Sequence, residues 1–74
     1  MHIEDLIVGE KYSPRSNAKK VFEFVKLSQQ GDPCFKCIEG DKQHTVTAQE
    51  AEAFEDPSIE GLVVFASVKD FRKI

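Results

Sequence analysis

Seventy-four residues make one domain at most, spanning 1–74, because two independent cores need more chain than this. A hydrophobic fraction of 41% beside 31% charged residues excludes a disordered, collagen-like or coiled-coil chain. The formal net charge of −3 argues against a dedicated duplex-DNA binder and is too small for a DNA mimic.

The charge is uneven. Residues 1–38 hold six basic and five acidic groups, and residues 39–74 hold four basic and eight acidic ones, giving a mildly basic front and an acidic back. No apolar run reaches the ~18 residues of a membrane helix. The start, from Met1 to Asp5, has neither a basic region nor a long apolar stretch, so no signal peptide is expected. Two cysteines three apart, where a small secreted domain usually carries four or more, predict a reducing compartment, and the chain is expected to be cytoplasmic. With so small a core and no disulfide framework, self-association is a reasonable way to bury more surface.

The composition leans towards strands: Val and Ile total twelve and Phe six, against three Leu. Ile3, Leu6 and Ile7 have the spacing of one apolar helical turn, which Gly9 breaks. A short strand is expected to begin at Glu10-Lys11-Tyr12. The cluster Ser13-Pro14-Arg15-Ser16-Asn17 then predicts a loop, since each residue type favours a turn. Val21–Leu27 is the strongest strand candidate, apolar in part on both faces. A rival reading has Ser16 capping a helix that runs to Gln30 and stops at Gly31. After a turn at Gln29–Pro33, the segment from Cys34 to Glu39 reads as the partner strand of a hairpin with a six-residue loop. His44-Thr45-Val46 reads as a short third strand of a meander.

Thr47-Ala48-Gln49-Glu50 matches a capping box, so a short helix is expected from Ala48 to about Glu55. Ala51 and Phe54 would face inward, and Glu50, Glu52 and Glu55 would face water. Pro57 disfavours helix at Asp56 and ends it. Leu62–Ala66, five apolar residues in a row, reads as a strand buried on both faces. Phe71 and Ile74 would cover one end as a final strand or turn. The expected fold is mainly β with one short helix (α+β), a small partly open barrel of about five strands.

Three features bear on chemistry. Cys34 and Cys37 have legitimate zinc spacing, and His44 would add a third ligand, but no second cysteine pair completes the set. Residues three apart on a strand also point to opposite faces, so the thiols meet only through a bulge. The plainer reading is two small core hydrophobes. A redox pair needs a helix N-terminus to lower the thiol pKa, and no helix start follows the motif. None of the four glycines makes a phosphate-loop pattern, and no nucleophile elbow is present.

The loop from Ser13 to Lys20 is the most suggestive surface. Arg15, Lys19 and Lys20 bring three positive charges, and Tyr12 beside them would act as a stacking platform. That combination suits single-stranded nucleic acid or a phosphorylated ligand, and contact with a protein or an acidic ligand is a further reading. An ordinary solvated loop is the plainer reading. The acidic helix would give a second surface for a basic partner.

The order Leu6-x-x-Gly9-x-x-Tyr12, a loop, a Val/Phe-rich hairpin, and Thr47-x-x-Glu50 opening a helix that ends near Phe54 resembles small barrels of the Src-homology type. These recur in short accessory proteins of bacteria and their phages. The resemblance implies a binding module. Members that bind proline-rich peptides line their groove with aromatics, which here only Tyr12 and Pro14 echo. The expected function is therefore non-enzymatic protein binding without a cofactor. The chain would be an adaptor, or an inhibitor such as a phage uses against a host protein, acting by edge-strand addition or through a patch of Tyr12, Arg15, Lys19 and Lys20. A weak single-strand-binding module and a zinc or redox site at Cys34 and Cys37 are the alternatives.

Overall fold

The computed structural model describes residues 1–40 and 45–74. Five antiparallel strands form one open sheet in the order β4-β3-β2-β1-β5: β1 is Lys11–Pro14, β2 Val21–Leu27, β3 Pro33–Glu39, β4 Val63–Val64 and β5 Phe71–Lys73. The one α-helix among the described residues, α1, spans Ala48–Ala53, and 3₁₀ turns lie at Ile3–Asp5 and Pro57–Ile59. The chain is thus mainly β with a single short helix. No helix of the described residues is long and apolar enough to cross a membrane.

The strand reading of Val21–Leu27 replaces the rival helix. Its side chains alternate: Phe22 and Phe24 are buried while Val21, Glu23 and Val25 are half-buried. A shift in the pairing with β3 falls between Phe24 and Lys26 and turns Lys26 towards the helical side. The hairpin loop has five residues rather than six, because Pro33 already pairs with Leu27. Ser28 closes it, its amide donating to the Asp32 carbonyl (2.8 Å) and its Oγ accepting from the Asp32 amide (3.0 Å).

Strand alternation divides the interior in two. Phe35 faces the main core with Tyr12, Phe22, Phe24, Val63, Val68 and Phe71. Cys34, one residue earlier, faces the opposite side and packs with Val46, Ala51 and Ile59 beneath α1. Rings from both ends of the sheet meet in the main core, Phe65 beyond β4 lying 4.9 Å from Phe71 in β5. Tyr12 and Phe35 are 0% exposed, so the aromatic cluster is the principal source of apolar burial.

Asp56 ties the helical side to the hairpin. Its carboxylate accepts from the Ser58 hydroxyl (2.5 Å) and the Gln29 amide (3.2 Å) and lies 3.6 Å from Lys26 Nζ. Lys26 also hydrogen-bonds Ser58. The Ser58 hydrogen bond holds the carboxyl below its usual range against the opposing effect of burial, with Lys26 and the Gln29 amide adding to the lowering. The Glu50 amide donates to Thr47 Oγ1 at 3.2 Å, as the capping pattern predicts. At the other end of α1 the Glu55 amide bonds the Glu52 carbonyl and the Asp56 amide bonds the Ala51 carbonyl. This closing motif places Glu55 at φ 58°, where glycine is usual.

Some expectations need correction. α1 ends at Ala53, before the expected Glu55, because the chain reverses there. The strand at Leu62–Ala66 shrinks to Val63–Val64, and only Val63 of that pair is buried; Ala66 is exposed. Thr45 and Val46 form no strand, although Val46 exchanges two backbone hydrogen bonds with Gly61 and Leu62 (2.9 and 2.8 Å). His44 lies outside the described residues. Phe71 is buried as expected, whereas Ile74 is 62% exposed and covers nothing.

Candidate functional site

Of the four predicted contact residues, Tyr12 is misassigned. β1 runs through it to Pro14 and is flanked by β2 on one side and β5 on the other, so the Tyr12 side chain points into the core. The ring is 0% exposed and meets Phe35 edge-on at 6.2 Å, and its hydroxyl accepts from the Ile7 amide at 2.9 Å. No face of the ring is open for a base to stack on.

Arg15 and Lys19 are exposed and Lys20 is half-buried. They sit on a loop that begins only after Pro14. Proline is tolerated there because the register Tyr12↔Phe22 sets position 14 opposite 20, just outside β2, where no ladder hydrogen bond is needed from its nitrogen. Ser13 caps the gap, its hydroxyl donating to the Lys20 carbonyl at 2.7 Å. Within the loop Asn17 accepts from the Lys19 amide through its side chain (3.3 Å) and from the Lys20 amide through its carbonyl (3.1 Å). Gly40, at φ +97°, lies against Lys20; a Cβ there would stand 2.9 Å from Lys20 Cγ.

A distant residue fixes the loop. The Asp70 carbonyl accepts from the Arg15 amide (2.7 Å), and Asp70 Oδ2 accepts from the Ser16 amide (3.0 Å). Hydrogen bonds from the Ser16 side chain and backbone hold the Asp70 carboxyl below its usual range, and the Arg15 charge adds to the effect. From Asp70 the chain enters β5, whose pairing with β1 sets Arg72 opposite Ser13 and Lys73 opposite Tyr12.

This pairing brings together cations that sequence reading kept apart. Residues 11–20 and 69–74 carry seven basic groups and one acidic group, +6, while the rest of the chain carries three basic and twelve acidic groups, −9. The single acid, Asp70, is spent on the loop backbone. None of Arg15, Lys19, Lys20, Lys69, Arg72 and Lys73 forms a salt bridge with a described carboxylate. Lys69, Arg72 and Lys73 are thus brought beside the predicted Arg15, Lys19 and Lys20, a grouping that sequence reading does not give. The available signal was their crowding around Phe71, an apolar residue between charged ones as on an edge strand.

The cysteine pair does not assemble. Cys34 is buried against α1, while Cys37 is half-buried and packs on the other core. Burial pushes the Cys34 thiol up, which disfavours the thiolate. Among the described residues no group of three or more His, Cys, Asp and Glu is placed to hold a metal ion. A groove of about 340 Å³ lies between residues 1–4 and 66–69, and one of about 320 Å³ lies beside Lys36, Cys37, Thr45 and Gly61. Every buried polar side-chain atom of the described residues has a hydrogen-bond partner. No known family model, curated protein or solved structure matches the chain.

Proposed function

We propose that the chain is a non-enzymatic protein-binding module, an adaptor or inhibitor, that docks an acidic surface of another protein. Its scaffold is a partly open barrel of the Src-homology type, and its docking surface is the basic edge formed by the loop at 15–20 and β5. One observation supports this above the rest: in a chain whose net charge is −3, the pairing of β5 with β1 brings the segments at 15–20 and 69–74 side by side, and their six cations form no salt bridge with a described carboxylate. Such a field steers an acidic partner and suppresses basic ones. The loop that carries half of it is held by backbone hydrogen bonds, which lowers the ordering cost on binding. Tyr12 is buried, so single-stranded nucleic acid would find charge here without the proposed stacking ring.

The test compares capture from a nuclease-treated native extract by the wild-type chain and by the quadruple reversal R15E/K19E/R72E/K73E. Retention of a protein partner by the wild type, its release by moderate salt, and its loss in the variant are expected. Equal retention by both chains overturns the reading, as does retention that is seen only when the nuclease is omitted.

A further inference from the structure

The two edges of the sheet are not equivalent. Val46 bonds the two residues that lead into β4, donating to the Leu62 carbonyl at 2.8 Å and accepting from the Gly61 amide at 2.9 Å. Among the described residues β5 has no such neighbour: its pairing is with β1 alone.

The ladder fixes which groups β5 turns outward. The Ile74 amide donates to the Lys11 carbonyl (3.0 Å) and the Arg15 amide to the Asp70 carbonyl (2.7 Å). In the register Ser13↔Arg72, these bonds set residues 70, 72 and 74 as the hydrogen-bonded positions towards β1. Phe71 and Lys73 therefore direct their main-chain groups away from β1. The Phe71 amide is used by a local turn onto the Val68 carbonyl (3.0 Å). What remains without a partner among the described residues is one donor, the Lys73 N–H, and two acceptors, the Lys73 and Phe71 carbonyls. Exposed Arg72 and Lys73 flank them, and Ile74, 62% exposed, adds an apolar contact at the same edge.

We infer that the occupant of this edge is an extended acidic segment of a protein partner, added as a sixth strand beside β5. Charge complementarity selects the segment, because the flanking side chains are cationic and form no salt bridge with a described carboxylate. The outward N–H and carbonyls set its register. This inference rests on the proposed acidic partner and adds the mode of contact.

A synthetic peptide of five Glu-Val repeats, capped at both ends, is the probe, with affinity measured by fluorescence anisotropy at low and moderate salt. Three variants separate the terms. R72E/K73E removes the charge. Lys73→Ala removes one charge and keeps the N–H. Lys73→Pro removes the same charge and also the outward N–H, which is not part of the β1 ladder, so its unfolding midpoint should match that of Lys73→Ala. Lys73→Pro is expected to bind the peptide about fivefold to tenfold more weakly than Lys73→Ala. N-methylation of the peptide on alternate residues gives a second readout that needs no variant: methylation in one phase should abolish binding and in the other leave it intact. Equal affinity of Lys73→Pro and Lys73→Ala, with tolerance of both methylation phases, overturns strand addition while leaving acidic docking standing. Undiminished binding by R72E/K73E overturns the acidic-partner reading itself. Failure of the wild-type chain to bind the peptide overturns strand addition.

Discussion

Phe35 is the residue on which the aromatic core depends most. It is 0% exposed, and its ring lies 5.2–6.2 Å from those of Tyr12, Phe22, Phe24, Phe65 and Phe71. Phe35→Ala removes the ring and leaves a cavity that five rigid neighbours cannot collapse into, at a cost of about 3–5 kcal/mol. A domain of 74 residues has a total stability of about 4–11 kcal/mol. The variant should therefore lose 12–40 °C of unfolding midpoint, at about 4–8 °C per kcal/mol, or fail to fold at room temperature. Phe54, half-buried at the end of α1 and outside the ring cluster, gives the contrast: Phe54→Ala should cost about 1–2 kcal/mol. Thermal unfolding followed by circular dichroism, with urea titration for free energies, measures both. A Phe35→Ala loss equal to or smaller than that of Phe54→Ala would refute the assignment of the fold's main stabilisation to the ring cluster.

Glu55 occupies left-handed backbone at the end of α1, so Glu55→Gly should raise stability by up to about 1 kcal/mol in urea unfolding, where an ordinary exposed helix position would lose stability with glycine. Asp56 has a folded pKa below its unfolded value of about 3.9. Its stabilisation is therefore complete above that value and is lost as pH falls through the folded one, because the unfolded state then binds more protons. Asp56→Asn should have a lower midpoint at neutral pH and a shallower fall between about pH 5 and 2 than the wild type; parallel curves would exclude the linkage. Cys37, half-buried, should react with a thiol reagent in the native protein, and Cys34, buried beneath α1 with its thiol pushed up, only on unfolding.

Local chemistry made parts of the fold readable. The density of Val and Phe at 21–27 overrode the helical stop and start signals around it, and the cap at Thr47 and the break before Pro57 bounded α1 to within two residues. Tyr12 was misread for a reason of topology. Its neighbours Ser13 and Pro14 are turn formers, yet they lie in a strand because β5, some sixty residues later, pairs with them. Local patterns do not contain that pairing. The same gap hid half of the basic surface: Arg72 and Lys73 join Arg15 only through β5, and Asp70 reads as one more surface acid until it closes on the Ser16 amide. β4 was overestimated because an unbroken apolar run cannot distinguish a strand from a bend whose side chains, such as Phe65, fall into a core by another route.

Hydrogen–deuterium exchange on the complex with a protein partner retained from native extract addresses the docking surface most directly. New protection at residues 15–20 and 69–74, with the amide of Lys73 slowed and α1 unchanged, is the expected footprint. Protection confined to α1 and the acidic residues around it, with β5 exchanging as in the free chain, would contradict a basic-edge binding module.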